Sequence, residues 1–345
     1  MAMTPARLSG MVAAVLLLAA AVAPAAPAGE ETGLKVIRPA HTYSIVARDP
    51  ETGQLGVAVQ SHWFSVGSVV AWAKAGVGAV ATQSFVEPSY GPLGLALMEA
   101  GKTAPEALKA LLATDAHTDV RQVAMVDAHG HVAVHTGEHA IIAHCQITGE
   151  GFSVQANLME RDTVCTAMAK AFRETRGDLA ARLMAALKAA EAEGGDIRGR
   201  QSAALLVVSG TRSGTPWAER IFDLRVEDSA DPLGELERLL TLARAYHEMD
   251  AGDAAMTRGD MAAALEHYAR AESLAPDNHE MVFWHAATLA ANGRVEEALP
   301  LFAKAYAMWP KWRELVPRLP KSGLLPDDPA LIARIVAAGR EEGAR

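Results

Sequence analysis

Thr42-Tyr43-Ser44-Ile45-Val46-Ala47-Arg48 is followed by Asp49-Pro50-Glu51-Thr52-Gly53 and then by Leu55 to Gln60. The first run is rich in β-branched and aromatic residues, the second is turn chemistry, and the third is apolar again, so a strand, a turn and a returning strand are expected. Working outward, Val69 to Trp72 and Gly78 to Thr82 have the short apolar character of buried strands, with Gly76 and Gly78 suited to a tight connection. Helical periodicity takes over at Leu93 to Glu99, and Thr103-x-x-Glu106 is a capping box opening Ala104 to Leu112. Strands return at Gln122 to Asp127 and His131 to His135, joined through Ala128-His129-Gly130, and at Phe152 to Gln155. Val164 to Phe172 and Leu179 to Glu193 are helical, and Ser202 to Val208 and Ile221 to Val226 close the region as strands. The order strands, two helices, strands, two helices, strands argues for layered sheets covered by helices instead of a parallel alternating fold. The expectation is an α+β, four-layer αββα sandwich over residues 42–232.

From about Leu233 the composition shifts to Ala, Leu, Glu and Arg without strand signals, so an all-α unit is expected over 233–345. Gly259, Ala264, Leu265, Tyr268, Ala271 and Pro276 recur 34 residues later as Gly293, Ala298, Leu299, Phe302, Ala305 and Pro310. That is the tetratricopeptide period, giving repeats at about 245–278 and 279–312, with Gly252 and Ala286 in the matching small position. Two repeats are too few to close a core, so helices at Glu235 to Tyr246 and Pro329 to Ala338 are expected to cap them.

At the other end, Arg7, the apolar run Met11 to Ala23, and the patterns Ala21-Val22-Ala23 and Ala26-Pro27-Ala28 have the form of a secretory signal peptide over 1–28. An uncleaved anchor is the alternative. The expected location is therefore periplasmic or secreted, with a polar segment from Gly29 to Ala40 and no stable membrane insertion after signal cleavage. The 32 basic residues against 41 acidic ones, with no dense basic block, argue against nucleic acid as a partner. The two cysteines, Cys145 and Cys165, could bridge after export or remain small buried hydrophobes.

Nucleotide-loop, zinc-protease and serine-esterase fingerprints are absent from residues 29–345. His129, His131, His135, His139 and His144 form a histidine-rich stretch in which His131 and His135 would share a strand face and Asp127 could join them, but His129 sits in the turn and no motif fixes a carboxylate or Cys nearby, so neither a metal nor a cofactor is expected. Thr42 is the remaining candidate for chemistry. A Thr made N-terminal by processing can be a nucleophile whose own α-amine accepts the hydroxyl proton. Gln60, Ser61, Gln83 and Asn157 stand at strand ends where they could bind an oxyanion or orient substrate, and His62 and Gln155 could touch substrate. The bland alternative is that Thr42 is an ordinary strand residue and the amides satisfy backbone groups.

Thr42 to Pro50 with Leu55 to Val59, Ala75 to Gln83, Tyr90-Gly91-Pro92, Gly151 to Leu158 and Gly195 to Ser202 together resemble the bacterial family known as domain of unknown function 1028. The resemblance runs from about Thr42 to Leu240 and leaves out the repeats. It implies kinship with the N-terminal-nucleophile hydrolases, in which the Thr matching Thr42 would lead the chain. Here it is internal, and a cut between His41 and Thr42 would be required. Ser229-Ala230-Asp231-Pro232 also departs from the His-Pro-Asp-Pro of relatives. Two functions are therefore expected as rivals. One is an exported amidohydrolase acting on a small amide or peptide-like substrate. The other is a non-catalytic periplasmic binding or assembly protein whose repeats hold a protein partner, with Trp284, Trp309 and Trp312 either anchoring that partner or packing between hairpins.

Overall fold

The structure is a computed structural model and describes residues 42–340. The expected signal peptide at 1–28 and the polar segment from Gly29 to Ala40 lie outside the described residues, as do residues 341–345.

Strands β1 (Thr42–Arg48) and β2 (Leu55–Ser61) form a hairpin in the register Arg48↔Leu55 to Thr42↔Ser61. Its turn is held by Asp49, whose Oδ1 accepts the N–H groups of Glu51 and Thr52 at 2.9 Å, while Gly53 takes φ +72°. A helical turn, α1 (Gly67–Val70), and a strand, β3 (Ala71–Lys74), stand where a single strand over Val69 to Trp72 was expected. The turn places Val66 and Val70 together in the core, and an apolar run this short carries no period that separates the two conformations. β4 (Gly78–Ser84) is followed by α2 (Tyr90–Glu99) and by α3 (Ala104–Leu112), where the Thr103–Glu106 capping box forms. β5 (Arg121–Asp127) and β6 (Val132–Thr136) come next, with His131 just outside the strand it was expected to open.

A strand the pattern did not announce, β7 (Cys145–Gly149), precedes β8 (Phe152–Ala156). Helices α4 (Val164–Glu174) and α5 (Leu179–Ala192) and strands β9 (Ser202–Val208) and β10 (Arg220–Val226) complete this part of the chain.

The strands form two antiparallel sheets, one ordered β10-β9-β2-β1-β8-β7 and one ordered β3-β4-β5-β6. The pleat sends Tyr43, Ile45 and Ala47 of β1 toward α4 and α5, and Val46 with Val57 and Val59 of β2 toward the smaller sheet. Val80, Val123 and Met125 on the far face of the smaller sheet pack against Leu95 of α2 and Leu108 of α3. With both faces covered, the central strands are almost continuously buried, and each buried Val, Leu or Ile side chain contributes roughly 1.5–3 kcal/mol.

Cys145 and Cys165 are joined, so β7 at the sheet edge is tied to α4. The bridge closes a loop spanning 20 positions, which corresponds to roughly 3 kcal/mol of denatured-state restriction. A Cys145→Ser, Cys165→Ser double variant should lose about that much stability in urea unfolding. An unchanged midpoint would mean the bridge does not constrain the unfolded chain.

The 26-residue α6 (Pro232–Thr257) is one unbroken helix where a cap and a first repeat helix were expected as separate pieces. Its Leu233, Leu236 and Leu240 belong to the core under the larger sheet, and its Ala245, Met249 and Ala255 belong to the core of the repeats. α7 (Met261–Leu274), α8 (His279–Ala291) and α9 (Val295–Met308) continue the hairpins, followed by α10 (Trp312–Leu315) and α11 (Pro329–Ala337). Pro276 and Pro310 fall just past α7 and α9, where a helix cannot continue. The aromatics of the repeat, Tyr268 and Phe302, are fully buried. Trp312 stacks on Phe283 at 4.2 Å and packs in the core, whereas Trp309 is 46% exposed beside His279.

An added Cβ at Gly252 would meet Tyr268 Cε1 at 2.5 Å. Gly252→Ala gains about 1 kcal/mol in helix propensity but forces an enclosed ring aside at about 1–3 kcal/mol. A net loss of about 1 kcal/mol is expected, and a gain in thermal stability would show that the ring has room to move.

Candidate functional site

Thr42 opens β1, an interior strand of the larger sheet. The registers Thr42↔Ser61 and Ser61↔Ser202 align three hydroxyl residues across β1, β2 and β9, and partners directly opposite share a face. That face looks toward the smaller sheet, as Val57 and Val59 do four and two residues before Ser61. Thr42 Oγ1 donates to Ser61 Oγ at 3.2 Å. Ser202 Oγ accepts the Val66 N–H at 3.0 Å and donates to the Trp63 carbonyl, which fixes the chain leaving β2.

Behind this row the sheets meet through amides instead of methyl groups. Gln83 Nε2 donates to the Thr42 carbonyl at 3.2 Å and to Gln122 Oε1 at 2.7 Å, and the Asn157 N–H reaches the same Thr42 carbonyl at 3.1 Å. Gln122 is the hub. Its Oε1 also accepts from Asn157 Nδ2 at 3.0 Å, and its Nε2 donates to Thr136 Oγ1 at 2.9 Å and the Ala156 carbonyl at 3.1 Å. One step further in, Ser44 Oγ donates to Gln83 Oε1 at 2.5 Å and accepts from Gln155 Nε2 at 2.6 Å. All these side chains are buried apart from that of Thr136, and in a low dielectric such a chain of satisfied bonds fixes each member's orientation.

The structure thus brings Thr42, Ser61, Gln83 and Asn157 together, with Gln155 two residues further along, opposite Ser44. It separates Gln60 and His62 from them. Gln60 pairs with Tyr43, so its carboxamide lies on the opposite face, toward α5, where neither Oε1 nor Nε2 finds a partner. An oxyanion role for Gln60 beside Thr42 is excluded by the pleat. His62 has left the strand and is exposed, its N–H on Asp196 Oδ2 at 3.0 Å. On the same α5 face as Gln60, burial and the Glu191 carboxylate push the Tyr43 phenol well above its ordinary range, so it stays protonated and donates to Glu191.

Gln122, Ser44 and Ser202 were not anticipated. Gln122 had a signal, since it stands near one end of an apolar strand just as Gln83 and Gln155 do. Ser84, next to Gln83, combines φ +68° with a buried hydroxyl that has no partner, two local costs at the end of β4.

The sequence model of DUF1028, a family of unknown function, matches residues 42–236. This chain belongs to the DUF1028 family. A tetratricopeptide-repeat model matches residues 249–311. A crystal structure of a DUF1028-family protein from Silicibacter pomeroyi is similar at 29% identity and a TM-score of 0.53, covering 59% of this chain and 89% of that one. No curated protein matches the chain.

In this DUF1028 chain three rings of the histidine-rich stretch bond to neighbouring segments. His131 Nδ1 lies 2.9 Å from Asp127 Oδ2, His135 Nε2 lies 2.7 Å from the Thr118 carbonyl, and His139 Nδ1 lies 2.9 Å from Asp119 Oδ2. Burial pushes the Asp127 carboxyl up, but the N–H groups of Ala104 and His129, with the His131 ring and N–H, outweigh it and hold the group below the ordinary range. Asp127 thereby ties the start of α3 to the β5–β6 turn. Among the described residues no group of three His, Cys, Asp or Glu side chains could hold a metal ion, and no helix is long and apolar enough to cross a membrane.

Proposed function

We propose that the DUF1028 domain of this chain is an exported amide-bond hydrolase of the N-terminal-nucleophile type, in which Thr42 acts after cleavage of the His41–Thr42 bond. The observation that carries this is the placement of Thr42. It opens an interior strand, turns its hydroxyl to the face between the sheets within 3.2 Å of Ser61 Oγ, and has its carbonyl braced by Gln83 and the Asn157 N–H. The sequence of α2 and α3, smaller sheet, larger sheet, α4 and α5 supports the four-layer sandwich that goes with such chemistry. The Cys145–Cys165 bridge supports an oxidising, periplasmic or secreted location.

In this reading Thr42 Oγ1 attacks the substrate carbonyl carbon while the freed α-amine takes the hydroxyl proton. The oxyanion would be met by the Ser61 hydroxyl, which lies 3.2 Å from Thr42 Oγ1. Collapse breaks the C–N bond, the proton on the α-ammonium passes to the leaving amine, and an ester on Thr42 remains for water to hydrolyse. The Gln83 side-chain amide, bonded to Thr42 O, Gln122 and Gln155 O, and the Asn157 N–H hold the nucleophile's backbone in position, while the Asn157 side-chain amide is bonded to Gln122. The substrate is a small amide or peptide-like compound.

A β-lactone probe tests this, because a hydroxyl nucleophile opens the ring and keeps the acyl group. The expected adduct maps by peptide mass to a fragment beginning at Thr42. Labelling spread over other serines and threonines, with none on Thr42, would refute the assignment.

A further inference from the structure

Between the second half of α6 and α8 lies a cavity of about 300 Å³. Met249, Met281, Trp284 and Leu324 supply its apolar lining, and Asp250, Asp253 and Glu280 its carboxylates, with no Lys, Arg or His among the lining residues. Several acidic groups elsewhere on the repeats are paired with cations. Glu248 pairs with His267 and Arg270, Glu272 with His285 and Lys304, Glu297 with Arg294, and Glu296 with Arg334. The groove acids differ. Asp253 accepts the Tyr268 hydroxyl and Glu280 the Tyr246 hydroxyl, each at 2.7 Å, and these neutral donors fix the carboxylates without cancelling their charge. Asp250 is exposed on the same helix, one turn before Asp253.

Three negative charges around a floor of methionine and tryptophan are complementary to a cation carried beside apolar groups. We propose that this groove binds a peptide segment of a second protein in which a Lys or Arg is flanked by apolar residues. Trp284, with the edge of Met249, offers the apolar contact, and the carboxylates select the charge. The site lies on the helical repeats and does not depend on Thr42 chemistry.

Fluorescence anisotropy with the full chain tests it, using a labelled peptide containing Leu-Lys-Leu-Arg and a counterpart containing Leu-Glu-Leu-Gln. The cationic peptide is expected to bind at least about tenfold more tightly, more weakly as salt is raised, and at least about tenfold more weakly to Asp250→Lys. Thr42→Ala should bind it like the unaltered chain. No binding, equal binding of both peptides, insensitivity to Asp250→Lys, or full competition by free spermidine would overturn the proposal.

Discussion

Thr42→Ala is expected to lower amide turnover by a factor on the order of 10⁴ or more while leaving the fold in place. The side chain removed is small, and a hydrogen bond such as that to Ser61 is worth about 1 kcal/mol, far less than a turnover loss of that size represents. Thr42→Ser keeps the hydroxyl and the α-amine and should keep most of the turnover. Ser61→Ala should lower kcat with little change in KM, because its hydroxyl would meet charge that exists only in the transition state. If Thr42→Ala and unaltered protein hydrolyse amides equally, Thr42 is a structural residue of the inter-sheet core.

The second large effect is on stability. Gln122→Leu keeps roughly the volume of the side chain but removes both ends of the hub, and should cost roughly 3–5 kcal/mol in urea unfolding. Asn157 Nδ2 loses its bond to Gln122, Gln83 Nε2 loses its shortest partner, and Thr136 Oγ1 loses its amide donor. Carbonyl bonds within the sheet ladders survive, which bounds the loss. Because Gln83 and Asn157 also brace Thr42, the variant should loosen the strand head as well, and amide hydrogen exchange at Tyr43 is expected to quicken. A cost below about 1 kcal/mol would mean that water replaces the hub without penalty.

Much of the fold could be read from the chain because each signal had one physical meaning. The Asp49–Gly53 turn admits one hairpin, the Thr103–Glu106 box one helix start, and the 34-residue recurrence of small and aromatic residues one kind of hairpin stack. β7 escaped notice because Cys145-Gln146-Ile147-Thr148-Gly149 has only Ile147 and Thr148 as strand formers, too short a run to read, and its pairing with β8 holds it in place. α1 was hidden in a Val-Val run that suits either conformation. α6 is continuous because nothing between Gly234 and Gly252 interrupts it.

At the site, proximity to a strand end was legible and facing was not. Gln60 and Ser61 are neighbours in sequence yet lie on opposite faces of β2, and only the register with β1 assigns Ser61 to Thr42 and Gln60 to Tyr43. Gln122 became visible as a hub only once β5 was paired with β4, which sets it opposite Gln83.

The mass of the secreted, active protein bears most directly on the chemistry of Thr42. A polypeptide whose first residue is Thr42, with the preceding segment removed, is the expected result. A fully active protein still carrying His41 in peptide linkage would contradict it, since no free amine would then stand beside the hydroxyl.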